Sequence, residues 1–245
     1  SICLSEQNRI KNGRIVSFCG FSIARGEIVW YNVGKGGAVM NYILLILLGY
    51  LLGCSSMAWY LAKAAKADLR GNGTGNLGAS NAWITLGKKY FFIIMFFDIG
   101  KSWLAGLIAW RLCPGVEVMG YVASLAAILG HIFPFYLKFK GGKGLASYGG
   151  LVCLHSFWLQ VFYLVFGFAL TQIFSHSWVM PFMIAFSFPV VIWFKTKSIA
   201  ITAVVVVASI VILIMHWSNM VKAFKGTDFN AREVVKDRMT EKKEN

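Results

Sequence analysis

Charge is scarce in this sequence, and acidic charge most of all. Of 245 residues only 14% are charged, with 10 Asp and Glu against 24 Lys and Arg. With 58% hydrophobic residues and a mean hydropathy of +0.64, this excludes an ordinary soluble domain and marks a polytopic membrane protein. No Cys-x-x-Cys spacing joins Cys3, Cys19, Cys54, Cys113 and Cys153, and several lie in apolar stretches. Buried thiols are expected, with no disulfide framework and no zinc site. His131, His155, His176 and His216 form no His-Glu-x-x-His group, so no metal and no cofactor is implied. Residues 1–39 do not show a basic start, an apolar run and a small-residue cleavage site, the pattern of a secretory signal. Heptads, internal repeats and strand patterns are also missing.

What is present is a series of long apolar runs. The first is "MNYILLILLGYLLGCSSMAWYLAK", from Met40 to Lys63; others cover 90–110, 117–137, 145–173, 178–194 and 199–217. The basic excess reads as membrane orientation or as attraction of an anionic substrate, not as nucleic-acid binding. Lys63, Lys66, Arg70, Lys88 and Lys89 form one basic cluster, and Lys138, Lys140 and Lys143 a second. The third runs from Lys222 to the end. The positive-inside rule puts all three on the cytoplasmic face. The number of crossings between Lys143 and the basic tail must then be even. The run 145–173 is about 29 residues, longer than the roughly 20 a single helix needs, and carries His155 and Gln160. Splitting it gives an all-α protein of seven short transmembrane helices; one tilted span plus a re-entrant helix is the alternative. Trp110, Trp178, Trp193 and Trp217 stand at run boundaries, as interfacial anchors do.

Residues 1–39 would lie outside, where Arg9, Lys11, Arg14, Arg25 and Lys35 run against the rule. They read as an N-terminal extension, either an upstream read-through before a natural start at Met40 or a genuine disordered tail. Residues 40–228 form the membrane domain, and 229–245 a charged cytoplasmic tail with the look of a frayed helix.

Three stretches carry chemistry. "GNGTGNLGASN" (71–81) has the Gly-x-Gly-x-x-Gly spacing at Gly73, Gly75 and Gly78. A dinucleotide fingerprint needs a strand before it, and here a membrane helix precedes it. The glycines still allow backbone N–H groups to converge on an anion, with Thr74, Asn76, Ser80 and Asn81 as neutral donors. A flexible polar hairpin is the plainer reading. "GHIFPFYLKFKGGKG" (130–144) sets Lys143 among Gly141, Gly142 and Gly144, a point charge suited to phosphate; Lys138 and Lys140 read as membrane anchors. In "MHWSNMVKAFKGTD" (215–228), His216, Asn219 and Lys222 share one helix face. That face suits ligand orientation or general-base work by His216, or is simply a polar helix end. Asp98 and Lys101 lie inside an apolar run at a spacing that lets them pair.

These stretches, in this order, resemble the PlsY family of bacterial membrane acyltransferases. "DLRGNGTGNLGASNAWITLGKK" is similar to its first motif, "GHIFPFYLKFKGGKG" to its second, and "HWSNMVKAFKGTD" to its last. The resemblance implies seven short helices with motif-bearing loops at the cytoplasmic face of the bacterial plasma membrane. It implies transfer of a fatty acyl group from acyl phosphate to the sn-1 hydroxyl of glycerol 3-phosphate, giving lysophosphatidate and phosphate, in contact with membrane lipid. Lys143, His216 and Asn219 become the catalytic candidates. Gly73, Thr74, Gly75, Asn76, Gly78, Asn81, Gly141, Gly142, Ser175 and Lys222 become substrate-binding candidates.

The departures fall on arginines. The family's arginine three residues after Asn81 is Ile84 here. Its third motif falls at "QIFSHSW" (172–178), where Gln172 replaces an arginine, Trp178 a serine, and Ser175 matches. Trp217 and Lys222 replace arginines of the last motif. A lost charged hydrogen bond is worth about 1.5–3 kcal/mol, roughly 10- to 150-fold in binding. The alternative function is therefore a weakened or re-specialised paralogue that acts on another phosphorylated acceptor or binds lipid phosphate without turnover.

Overall fold

The structure, a computed structural model, describes residues 19–24, 27–32 and 35–226. Residues 1–18 of the expected extension and the tail 229–245 lie outside the described residues. Helices α1 (Lys35–Cys54), α2 (Met57–Ala64), α3 (Ala79–Leu86), α4 (Lys88–Leu112) and α5 (Val118–Ile132) are followed by α6 (Leu145–His155), α7 (Phe157–Phe174), α8 (Val179–Thr196) and α9 (Ile199–Phe224). Among the described residues six stretches are long and apolar enough to cross a membrane: Val39–Ala64, Lys88–Leu112, Val118–Leu137, Phe157–Phe174, Val179–Thr196 and Ile199–Phe224. The seventh expected helix, Leu145–His155, is apolar but shorter.

The run 145–173 is split, as parity required. Ser156 ends α6 and caps α7, its hydroxyl accepting from the Leu159 N–H at 3.3 Å. The first apolar run also breaks. Ser55 donates to the Leu52 carbonyl at 2.6 Å, and the Ser56 hydroxyl caps α2 by accepting from the Trp59 N–H at 3.3 Å. Both interruptions follow from short hydroxyl side chains that compete with the helical ladder.

One feature differs from the sequence reading. Cys19–Ala24 (β1) and Glu27–Asn32 (β2) pair as an antiparallel hairpin, Cys19 opposite Asn32 and Ala24 opposite Glu27. Their aromatic and β-branched content favours strands, in runs too short to stand out from a mixed segment. The all-α architecture holds for the membrane domain.

Within that domain α5 is central, touching α1, α4, α6 and α9. Small residues let α1 approach it: a side chain at Gly53 would strike the backbone of Ala127, and one at Gly130 the carbonyl of Tyr50. Polar pairs add directional contacts between helices. Ser102 and Ser124 each donate to the other's carbonyl, at 3.1 and 2.8 Å, and the hydroxyls of Tyr148 and Ser209 meet at 2.6 Å. Tyr148, Phe188, Ile128, Val205 and Ile212 are buried together. Phe162, Val165 and Phe166 on α7, with Val207, Ile210 and Ile214 on α9, face outward, which suits lipid.

Candidate active site

The polar ends of several helices meet on one face. α2 delivers the glycine-rich loop, and α5 delivers the turn that starts α6. The α7–α8 connection and the end of α9 complete the group.

The glycine-rich loop is wrapped around Asn81. This side chain is fully buried at the start of α3; its Oδ1 accepts from the Thr74 N–H and its Nδ2 donates to the Leu69 carbonyl, both at 2.6 Å. Gly73 adopts φ +61°, and a Cβ there would strike Asn81 Oδ1. Asn81 therefore braces the loop, with both ends of its amide engaged by the backbone. The Thr74 N–H is likewise turned inward. Thr74 and Gly75 are exposed, Asn76 is half-buried, and Gly78 begins α3 without a capping side chain. Ile84 packs toward the Gly73 side of the loop.

The second loop folds back on α5. Pro134 opens a single helical turn, Phe135–Leu137, and Lys138 and Phe139 both take left-handed conformations that reverse the chain. Gly141 N–H then donates to the Ile132 carbonyl at 2.9 Å, and Gly142 N–H to the His131 carbonyl at 3.2 Å. A Cβ on Gly142 would strike the His131 ring and come within 2.7 Å of the Leu77 carbonyl oxygen, so the two loops abut at this point. Arg70 joins them again, its guanidinium donating to the Lys140 carbonyl at 2.6 Å. Sequence reasoning passed over Arg70 as one more basic residue of the cytoplasmic cluster.

From this turn the half-buried Lys143 ammonium reaches Asn219 Oδ1 on α9, and Asn219 Nδ2 donates to the Ser177 hydroxyl at 3.2 Å. His216 lies one turn deeper, 5% exposed, its Nδ1–H donating to the Ile212 carbonyl at 3.0 Å. Lys222 is exposed one turn further out. Ser175 occupies the left-handed residue that ends α7, while Ser177, two residues on, meets Asn219. The second serine of Ser-His-Ser is thus the one that contacts α9.

Beneath the second loop lies a charged cluster. Asp98 and Lys101 pair at 2.8 Å, and His131 Nδ1 is 3.3 Å from the same carboxylate oxygen.

Residues 43–226 match the model of the family described as glycerol-3-phosphate acyltransferase. The chain belongs to that family. A glycerol-3-phosphate acyltransferase of Coxiella burnetii (strain Dugway 5J108-111) is 35% identical over 190 residues, covering 77% of this chain and 97% of the relative. One from Mesorhizobium japonicum is 34% identical over 187 residues, covering 76% and 94%. The fold also matches crystal structures of PlsY (YgiH), an integral membrane glycerol 3-phosphate acyltransferase. Its glycerol 3-phosphate form gives a TM-score of 0.73 at 27% identity, covering 80% of this chain and 98% of that one. Its lysophosphatidic acid form gives 0.72 at 25% identity with the same coverage.

Proposed function

We propose that this family member is a multi-pass enzyme of the bacterial plasma membrane, in which residues 40–228 transfer a fatty acyl group from acyl phosphate to the sn-1 hydroxyl of glycerol 3-phosphate. The observation that carries the site is the contact from Lys143 to Asn219, which closes the second loop onto α9 beside the glycine-rich loop. In the proposed reaction the acceptor hydroxyl oxygen attacks the acyl carbonyl carbon. The carbon–oxygen bond to phosphate breaks, and inorganic phosphate leaves. Lys143 binds phosphate oxygens as a point charge. The exposed backbone of Gly73 and the half-buried backbone of Gly78, with the side chains of Thr74 and Asn76, complete the cradle; Gly75, whose N–H donates to the Asn72 carbonyl at 3.2 Å, shapes the turn, and Gly141 and Gly142 bring the second loop in close. Charge developing on the carbonyl and on the departing phosphate is stabilised by these fixed donors. Asn219 orients the acceptor, and Ser175 and Lys222 line its approach. The acceptor proton passes to the leaving phosphate or to His216.

The test is lysophosphatidate formation by membranes bearing the protein, given acyl phosphate and labelled glycerol 3-phosphate. No product above an empty-membrane control refutes the reading. Ile84 favours a second one. It packs beside Gly73 at the position of a family arginine, which suits a weakened or re-specialised paralogue acting on another phosphorylated acceptor.

A further inference from the structure

The charged cluster under the Gly-Gly-Lys turn consists of groups given no part in substrate binding. Asp98 is 2% exposed, Lys101 5% and His131 6%. Lys101 Nζ donates to the Ser55 carbonyl at 2.7 Å, in the break between α1 and α2, and to His131 Nδ1 at 2.9 Å. An ammonium has only donors, so Nδ1 is the acceptor and the ring proton of neutral His131 sits on Nε2. Asp98 is closer to Lys101, at 2.8 Å, than to the ring, at 3.3 Å, and so balances the ammonium rather than drawing a proton from Nδ1.

The Nε2 edge faces the second loop. It lies where a side chain on Gly142 would have to go, next to the Leu77 carbonyl of the first loop. The His131 carbonyl also accepts from the Gly142 N–H at 3.2 Å. The His131 ring therefore fills the space beside Gly142 while its carbonyl accepts from the Gly142 N–H, one residue before Lys143. Stability alone is a weak reason for this arrangement, because buried ionic groups can often be replaced by apolar ones at little cost.

We propose that Asp98, Lys101 and His131 are positioning residues for the reaction: Lys101 fixes the His131 tautomer, and the His131 ring sets where the Gly-Gly-Lys turn holds Lys143. This rests on the reading of Lys143 as a phosphate ligand.

Two substitutions at one position separate positioning from bulk. A Gln amide extends to the level of Nε2, whereas Asn stops near Nδ1. In purified protein in lipid nanodiscs, H131N raises the KM for glycerol 3-phosphate about 10-fold or more, with a smaller change in kcat, the pattern of lost binding. H131Q restores most of it. Amide hydrogen exchange across residues 141–145 speeds up in H131N and returns toward normal in H131Q. Equal KM values and equal exchange in the two variants overturn the proposal. An apolar replacement of the whole cluster (D98L/K101M/H131L) that folds and keeps the wild-type KM overturns it too; if that triple variant does not fold, the Asn and Gln pair decides alone. K143M is measured in parallel. A wild-type KM there removes the Lys143 reading, while the exchange data still decide whether His131 holds the turn.

Discussion

The Lys143 ammonium, at the start of α6, donates to the Asn219 side chain on α9, 76 residues away in the chain. This contact joins two motifs of the candidate site. K143M is expected to lower kcat/KM about 10- to 150-fold, the size of a lost charged hydrogen bond. K143R recovers little, because a planar fork does not replace a compact ammonium between glycines. A cycle with N219A, read by steady-state kinetics, gives a double-variant loss smaller than the sum of the single losses.

Asn81 and Gly73 form a lock of a different kind. N81A deprives the Thr74 N–H and the Leu69 carbonyl of their partner and is expected to cost about 1–3 kcal/mol, measured by thermal or denaturant unfolding in detergent. G73A is harmful in the wild type because its methyl meets the Asn81 oxygen at a left-handed position. In the N81A background the steric part of that penalty disappears and only the backbone part remains.

Ile84 is the departure most open to reversal. I84R restores a cation beside the glycine-rich loop, and the KM for glycerol 3-phosphate is expected to fall about tenfold or more in the assay with acyl phosphate. Combined with W217R the gain is larger. Unchanged kinetics in the double variant count against a weakened site.

Ser177 and Ser175 make a paired comparison. S177A removes the hydroxyl that accepts from Asn219 and is expected to reduce kcat/KM several-fold more than S175A. The reverse ranking, in the same assay, restores the motif alignment over the geometry.

Much of this was legible in the sequence. Hydropathy located the spans, and the even parity between Lys143 and the basic tail called for a break within 145–173; its position at Ser156 comes from the structure. Gly73 and Gly142, two of the positions where a side chain would clash, lay in the glycine-rich stretches singled out from the sequence. Other features were hidden for stated physical reasons. That Asn81 braces the loop could not be read from the sequence, because an amide that braces a loop and one that binds substrate share the same chemistry. Which of Ser175 and Ser177 meets Asn219 could not be read from the sequence, because it depends on where α7 ends. His131 looked solitary, since its partners Asp98 and Lys101 lie some thirty residues earlier on another helix. The hairpin of Cys19–Ala24 and Glu27–Asn32 was missed in a segment without sustained periodicity.

Arg70, Lys143, Ser177 and Asn219 converge on the same end of the bundle, which has a consequence for the membrane itself. In the reaction proposed above, with all substrate groups on one side, the product is left in one leaflet. Every turnover adds area to that leaflet and none to the other. Balanced growth of a bilayer fed by this protein therefore depends on a separate activity that carries lipid across it.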